Sequence, residues 1–142
     1  MLYLDTSVLV PLFVPEPESG SMRAWFDKQA GETLAISDWT LTEFASAMGI
    51  KVRDKGLKAD RAHEACALMA KLAADSLKVF TPTRGDYGRA TGHLGHHALG
   101  LRAGDALHLA IAQNEDAACL YTLDRRLIEA ARKLKFKAAS PI

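Results

Sequence analysis

Cysteine is scarce in this chain: Cys66 and Cys119 are the only two, both in apolar settings and neither in a CxxC pair. That pattern offers no disulfide framework and reads as buried, reduced thiols, the usage expected in the cytoplasm. An excess of one charge is also lacking. Eighteen Lys and Arg stand against 17 Asp and Glu, for a net charge of +1, so attraction to a charged partner has to come from local patches. No apolar run approaches the ~18 residues of a membrane span, and no basic segment precedes an apolar one at the amino terminus. A soluble, cytoplasmic protein with no membrane partner is expected. A GxxxxGK[ST] loop is missing, which argues against a nucleoside triphosphate substrate. Nor does any repeat, low-complexity tract or linker divide the chain. With 49% hydrophobic residues, residues 1–142 suffice for one domain with one substantial core.

What the chain does contain is organised around its first ten residues. Leu2, Tyr3 and Leu4 form a short apolar run of the kind buried on both faces of a parallel sheet. The run stops at Asp5, and the Thr6 and Ser7 hydroxyls are placed to cap a helix running from Val8 to Phe13. Pro15 to Gly20 breaks the chain before a helix around Met22–Phe26. Further strands are expected at Thr33–Ile36, Leu77–Phe80, Ala118–Tyr121 and, weakly, Phe136–Ala139. Helices are expected at Leu41–Lys55, closed by Gly56, and at Asp60–Asp75, Asp86–Leu99, Ala103–Gln113 and Arg125–Leu134. Strands alternating with helices specify an α/β fold with a parallel sheet covered on both faces.

Four acids fall where such a sheet gathers its strand ends. Asp5 ends the first strand, and Glu43 lies early in the helix after the second. Asp105 lies early in the Ala103–Gln113 helix, and Asp124 follows the fourth strand. Open α/β sheets bind ligands outside the carboxyl ends of their strands. Like charges gathered there are costly without a cation, and an all-oxygen set suits Mg²⁺ or Mn²⁺ better than Zn²⁺. Carboxylate-held divalent metal serves phosphate chemistry by activating water and shielding phosphoryl charge, which makes a phosphodiester the expected substrate. Three of the acids also have structural readings. Glu43 stands three residues after Thr40 in a capping-box spacing, Asp105 suits a helix dipole, and Asp124 suits an N-cap. Asp5 is the hardest to explain structurally, since a carboxylate ending a buried strand needs a partner.

These residues carry a resemblance. Leu4-Asp5-Thr6-Ser7-Val8-Leu9, Thr42-Glu43-Phe44, the segment Leu101 to Ala110 reading LRAGDALHLA, and Tyr121-Thr122-Leu123-Asp124 resemble the PIN domain. More narrowly they resemble the VapC-type ribonuclease toxins of toxin–antitoxin pairs. The resemblance implies a three-layer α/β/α sandwich with a five-stranded parallel sheet. It also implies a Mg²⁺- or Mn²⁺-dependent endoribonuclease that cleaves RNA through metal-activated water, a homodimer, and a cognate antitoxin that blocks the site. Asp5, Glu43 and Asp105 match the family's acids, and Asp124 matches its more variable fourth position. Thr6 and Thr122 are candidate supporting hydroxyls, while Gly104 before Asp105 departs from the usual pattern and is expected to loosen that helix start.

Other residues draw bland readings. His93, His96 and His97 include a pair four apart, but no acid or further His at a defined spacing completes a zinc set, and His108 is expected to be partly buried with one hydrogen bond. Trp25, Phe26, Trp39 and Phe44 suit a core or an interface. Lys51, Arg53, Lys55 and Lys58 form one basic group, and Asp124–Lys137 holds a second. Arg102, Arg125 and Arg126 adjoin the acids in sequence and are the candidates for gripping RNA or the antitoxin. Two rival readings remain. An Asp5-nucleophile phosphohydrolase is disfavoured because Ser7 stands where a haloacid-dehalogenase-like pattern needs a second Asp. A catalytically weak RNA- or protein-binding module gives no reason to crowd acids together.

Overall fold

The computed structural model describes residues 1–142. Five short strands, β1 (Leu2–Leu4), β2 (Leu34–Ser37), β3 (Lys78–Phe80), β4 (Cys119–Tyr121) and β5 (Ala138–Ala139), form one sheet in the order β3-β2-β1-β4-β5. Every pairing is parallel. The helices are α1 (Thr6–Phe13), α2 (Ser19–Asp27), α3 (Asp38–Arg53), α4 (Ala59–Ser76), α5 (Arg84–Gly95), α6 (Ala103–Asn114) and α7 (Arg125–Lys133), with a 3₁₀ turn at His97–Leu99. No helix is long and apolar enough to cross a membrane.

Side chains alternate across a strand, so the adjacent residues Tyr3 and Leu4 start two separate cores. Tyr3, Ala35 and Leu120 pack with α5, α6 and α7 on one face. Leu4, Leu34 and Ile36 pack with α1, α2, α3 and α4 on the other. The result is the α/β/α sandwich with five parallel strands that the sequence implies. Residue spacing explains the layering: Ala62, Ala65, Met69 and Ala73 give α4 a single buried stripe, whereas α6 is buried at every position from Ala106 to Ala112.

The chain order sets the position of the functional edge. From β1 it winds outward through β2 to β3, then returns to lay β4 on the opposite side of β1. The β1/β4 boundary is thus the switch point, where the loops leaving the two strands diverge and leave a crevice. Asp5 N–H donates to Tyr121 O across that boundary at 3.0 Å, pinning the two strand ends together.

Local departures from the expected elements have identifiable causes. Helix α1 starts at Thr6, not Val8, and neither the Thr6 nor the Ser7 hydroxyl caps it, because both turn toward acids. The expected helix Asp86–Leu99 ends at Gly95 and finishes as the 3₁₀ turn, with Gly100 left-handed at φ 66°. The C-terminus of α3 is closed by Gly56 N–H on Lys51 O, but the left-handed residue is Lys55 at φ 60°, not the glycine. The last strand is only Ala138–Ala139, since Lys135 is left-handed and turns the chain just before it.

One buried acid far from the crevice fastens α5 to α6. Asp86, 2% exposed, accepts from Thr83 N–H at 2.7 Å and the Thr83 hydroxyl at 2.8 Å, and from Asn114 Nδ2 on α6 at 2.6 Å. Burial alone would raise its carboxyl, but the hydrogen bonds from Thr83 and Asn114 and the charge of Arg89 bring it below the usual carboxylate range. Its contribution is therefore complete at neutral pH and is lost as pH falls through the depressed value. Asp86→Ala is expected to lower the unfolding free energy at neutral pH by about 2 kcal/mol in urea titrations. The gap to the parent should narrow in acid.

Candidate active site

At the β1/β4 boundary, α1, one side of α3 and the start of α6 border an open depression of about 360 Å³ lined by Asp5, Thr6, Ser7, Glu43, Asp105 and Asp124, among others. The four acids that the sequence scatters along the chain thus share one concavity. Asp5 leaves the end of β1, Glu43 projects from α3, Asp105 from the first turn of α6, and Asp124 from the residue preceding α7. No Lys or Arg forms an ion pair with any of them.

Hydroxyls orient Asp5. Its Oδ2 accepts from Ser7 Oγ at 2.7 Å and from Thr122 Oγ1 at 2.5 Å. Each hydroxyl is itself anchored: Leu123 N–H donates to Ser7 Oγ at 2.9 Å and Asp124 N–H to Thr122 Oγ1 at 3.0 Å. Oδ1 accepts no such bond and faces His108 Nε2 at 3.5 Å. Thr122, completely buried, therefore couples the first acid to the loop that carries the fourth.

Glu43 is held just as firmly. Its Oε2 accepts from Thr6 Oγ1 and lies against His108 Nε2, both at 2.7 Å. Desolvation raises its pKa, but His108, through its hydrogen bond and charge, with Thr6 and Trp39, outweighs that and leaves it below the usual range. Trp39 Nε1 is the one buried side-chain polar atom without a hydrogen-bond partner. Its N–H falls short of a bond while its dipole still favours the Glu43 charge. The capping-box reading of Glu43 does not hold, because Ser37 N–H donates to Thr40 Oγ1 at 3.1 Å and Glu43 lies a turn further on.

Asp105 and Asp124 combine structural and site roles. Asp105 Oδ2 accepts a long bond, 3.4 Å, from Arg102 N–H at the start of α6. Its carboxyl is raised, first by desolvation, then by Asp124, with Asp5 and Glu43 adding smaller repulsions. Asp124 caps α7, with Oδ1 accepting from Arg126 N–H at 2.8 Å and Leu127 N–H at 3.4 Å. Arg102, Arg125 and Arg126 are exposed around this edge.

His108 departs most from the sequence reading. It is fully buried, not partly, and its bonds exceed the single one expected. Besides Glu43, Nε2 lies 3.4 Å from Thr6 Oγ1, and Nδ1 lies 3.1 Å from Tyr3 Oη. Desolvation opposes a charge on this ring, but the Glu43 hydrogen bond and the charges of Asp5, Glu43 and Asp105 outweigh it and raise its pKa. Asp5, Glu43 and His108 each offer a ligand atom, all within 4.8 Å of one another. The tight group thus contains an imidazole that the all-acid set omitted, and Asp105 and Asp124 lie outside it. The signal was available: a lone His in the apolar run Ala106–Ala112 needs buried partners. His93 instead bonds Gln113 at 2.7 Å, away from the acids.

Crowded carboxylates with no Lys or Arg among them fit a hard divalent cation, and the open Asp5 Oδ1 is the kind of donor such an ion uses. Gly104, noted in the sequence for its place at the start of α6, is part of this arrangement. A Cβ there would overlap Glu43 Oε1 and press on Trp39 Cζ2 at 3.4 Å. Gly104→Ala is expected to fold but displace Glu43, weakening Mn²⁺ binding by about 10-fold or more in calorimetry. Unchanged affinity would show that the close approach is dispensable.

Comparison with known proteins agrees with this geometry. The PIN domain family model matches residues 2–133. Ribonuclease VapC47 of Mycobacterium tuberculosis is 28% identical over 146 residues, covering 99% of this chain and 97% of its own. Among solved structures, VapC20 of M. tuberculosis, a sarcin–ricin loop cleaving toxin, superposes with a TM-score of 0.72 at 17% identity over 92% of this chain and 95% of that one. VapBC2 from Rickettsia felis, bound to a fragment of promoter DNA, gives 0.71 at 22% identity over 99% and 98%. With its fold, its acid-lined crevice and a family match over nearly its whole length, the chain belongs to the PIN domain family.

Proposed function

We propose that this protein is a Mg²⁺- or Mn²⁺-dependent endoribonuclease, the toxin of a toxin–antitoxin pair. The observation that carries the proposal is the gathering of Asp5, Glu43, Asp105 and Asp124 around one depression without a Lys or Arg to neutralise them. A structural ion-pair network would include the missing cations, and a site that only grips RNA would not present negative charge to phosphate.

In this reading Asp5, Glu43, Asp105 and Asp124 hold the ion directly or through water. A divalent cation held there neutralises phosphoryl charge and makes water a better nucleophile at neutral pH. The protein's own groups prepare the site. Ser7 and Thr122 fix Asp5 Oδ2 and leave Oδ1 free to bind, while Thr6 fixes Glu43. A cation held among the acids would offset the repulsion from Asp124, Asp5 and Glu43 that raises the Asp105 carboxyl. Exposed Arg102, Arg125 and Arg126 contact RNA phosphates, or the antitoxin when it covers the site. Cleavage leaves 5′-phosphate and 3′-hydroxyl ends. The relative named a ribonuclease and the VapBC2 assembly support both the reaction and the partner. A single domain spanning 1–142, a homodimer and a cytoplasmic location with Cys66 and Cys119 as free thiols complete the proposal.

Asp5→Asn is expected to cut total RNA about 10²-fold or more slowly than the parent, with an unchanged circular dichroism spectrum. Chelation of the parent should match that loss, and full cleavage by the purified variant would overturn the proposal. A second expectation concerns stability. Because folding raises the Asp105 pKa, its charged form opposes folding above that value, and stability is regained as pH falls through it. Metal-free Asp105→Asn should therefore melt above the parent at pH 7 and gain less from saturating Mg²⁺. A variant that melts lower would show that the Asp105 carboxylate is structurally required.

A further inference from the structure

We propose that His108 is a positioning residue that presents Glu43 to the cation, and not itself a ligand of that cation. The inference rests on the metal-site reading above and concerns how this chain builds it. Distance alone admits the ring as a ligand, since its nitrogen lies within 4.8 Å of the Asp5 and Glu43 oxygens. The hydrogen bonding decides otherwise.

A metal ligand needs the bare lone pair of an imidazole nitrogen. His108 Nε2 lies 2.7 Å from Glu43 Oε2, an oxygen that already accepts from Thr6 Oγ1. An ionised carboxylate only accepts, so the ring nitrogen is the donor and its hydrogen points at Glu43. The far side of the ring accommodates the same choice. Nδ1 lies 3.1 Å from Tyr3 Oη, and Tyr3 Oη lies 2.8 Å from Ser37 Oγ. In the neutral ring the order runs Ser37 hydroxyl to Tyr3 hydroxyl to Nδ1, then Nε2–H to Glu43. If the ring is charged, both nitrogens donate and Nε2 still points its hydrogen at Glu43. In neither case is Nε2 free for a metal.

Burial turns this chain into a rigid support. Tyr3, Ser37 and His108 are all completely inaccessible, and Tyr3 also packs edge-on to the imidazole with ring centroids 5.8 Å apart. The chain therefore links the end of β2, β1 and α6 in series to one oxygen of a fourth element, α3. With Thr6 and His108 both on Oε2, the Glu43 carboxylate cannot rotate without breaking two bonds. Hydrogen-bond partners of this kind alter metal affinity by roughly 10–100-fold when removed.

The native ¹⁵N-labelled protein tests the proton placement without any substitution. Long-range ¹H–¹⁵N spectra should show His108 Nε2 protonated both in metal-free protein and with saturating Mg²⁺. A bare Nε2 in the Mg²⁺-loaded protein would overturn the inference. Mn²⁺ calorimetry on His108→Gln and His108→Ala provides the second arm. The glutamine amide can still donate to Glu43, so its affinity should stay within about threefold of the parent, whereas alanine should lose 10-fold or more. Equal losses in the two variants, with the parent binding normally, would overturn the positioning role alone. Failure of the parent to bind Mn²⁺ would remove the metal-site reading, and this inference with it.

Discussion

Negative charge concentrated at one point of the sheet, with no Lys or Arg opposed to it, is the constraint around which the rest of the molecule is arranged. Four carboxylates from four separate parts of the chain line one depression. In a low-dielectric setting such like charges repel and oppose folding unless their oxygens are separately accommodated. The chain uses neutral donors for this: Ser7 and Thr122 for Asp5, Thr6 for Glu43, and backbone N–H groups for Asp105 and Asp124. His108 is the only ionisable donor admitted. Hydroxyl and amide donors orient a carboxylate without cancelling its charge, so the field at the crevice survives for an incoming cation.

The fold was legible because its signals are local and periodic. An apolar triplet ending in an acid, repeated alternation of strand and helix, and the fully apolar face of α6 together specify a parallel sheet covered on both sides. The convergence of Asp5, Glu43, Asp105 and Asp124 followed from topology alone, since strand ends and helix starts share an edge in such a sheet. Boundaries were less legible where side chains had a competing use. Thr6 and Ser7 look like caps, yet Thr6 donates to Glu43 and Ser7 to Asp5, both inside the first turn of α1. Lys55 takes the left-handed position that Gly56 advertises.

What remained hidden depends on contacts between residues distant in sequence. His108 and Tyr3 are 105 positions apart, and His108 and Glu43 are 65 apart. No spacing rule connects them. Gly104 is similar: on the chain it is a weak point in a helix start, and in space it is the gap that Glu43 Oε1 occupies. Composition classified His108 by its neighbours in sequence, whereas burial and partners define its role. The same applies to Thr122, whose link from Asp5 to Asp124 exists only because β1 and β4 are paired.

Anomalous diffraction from Mn²⁺-soaked crystals tests the central claim most directly, because it locates the cation without reference to activity. A peak is expected in the crevice contacting Asp5 Oδ1 and at least one further acid among Glu43, Asp105 and Asp124, with His108 Nε2 outside its coordination sphere. No peak at the four acids at millimolar Mn²⁺, or one coordinated elsewhere on the chain, would contradict it.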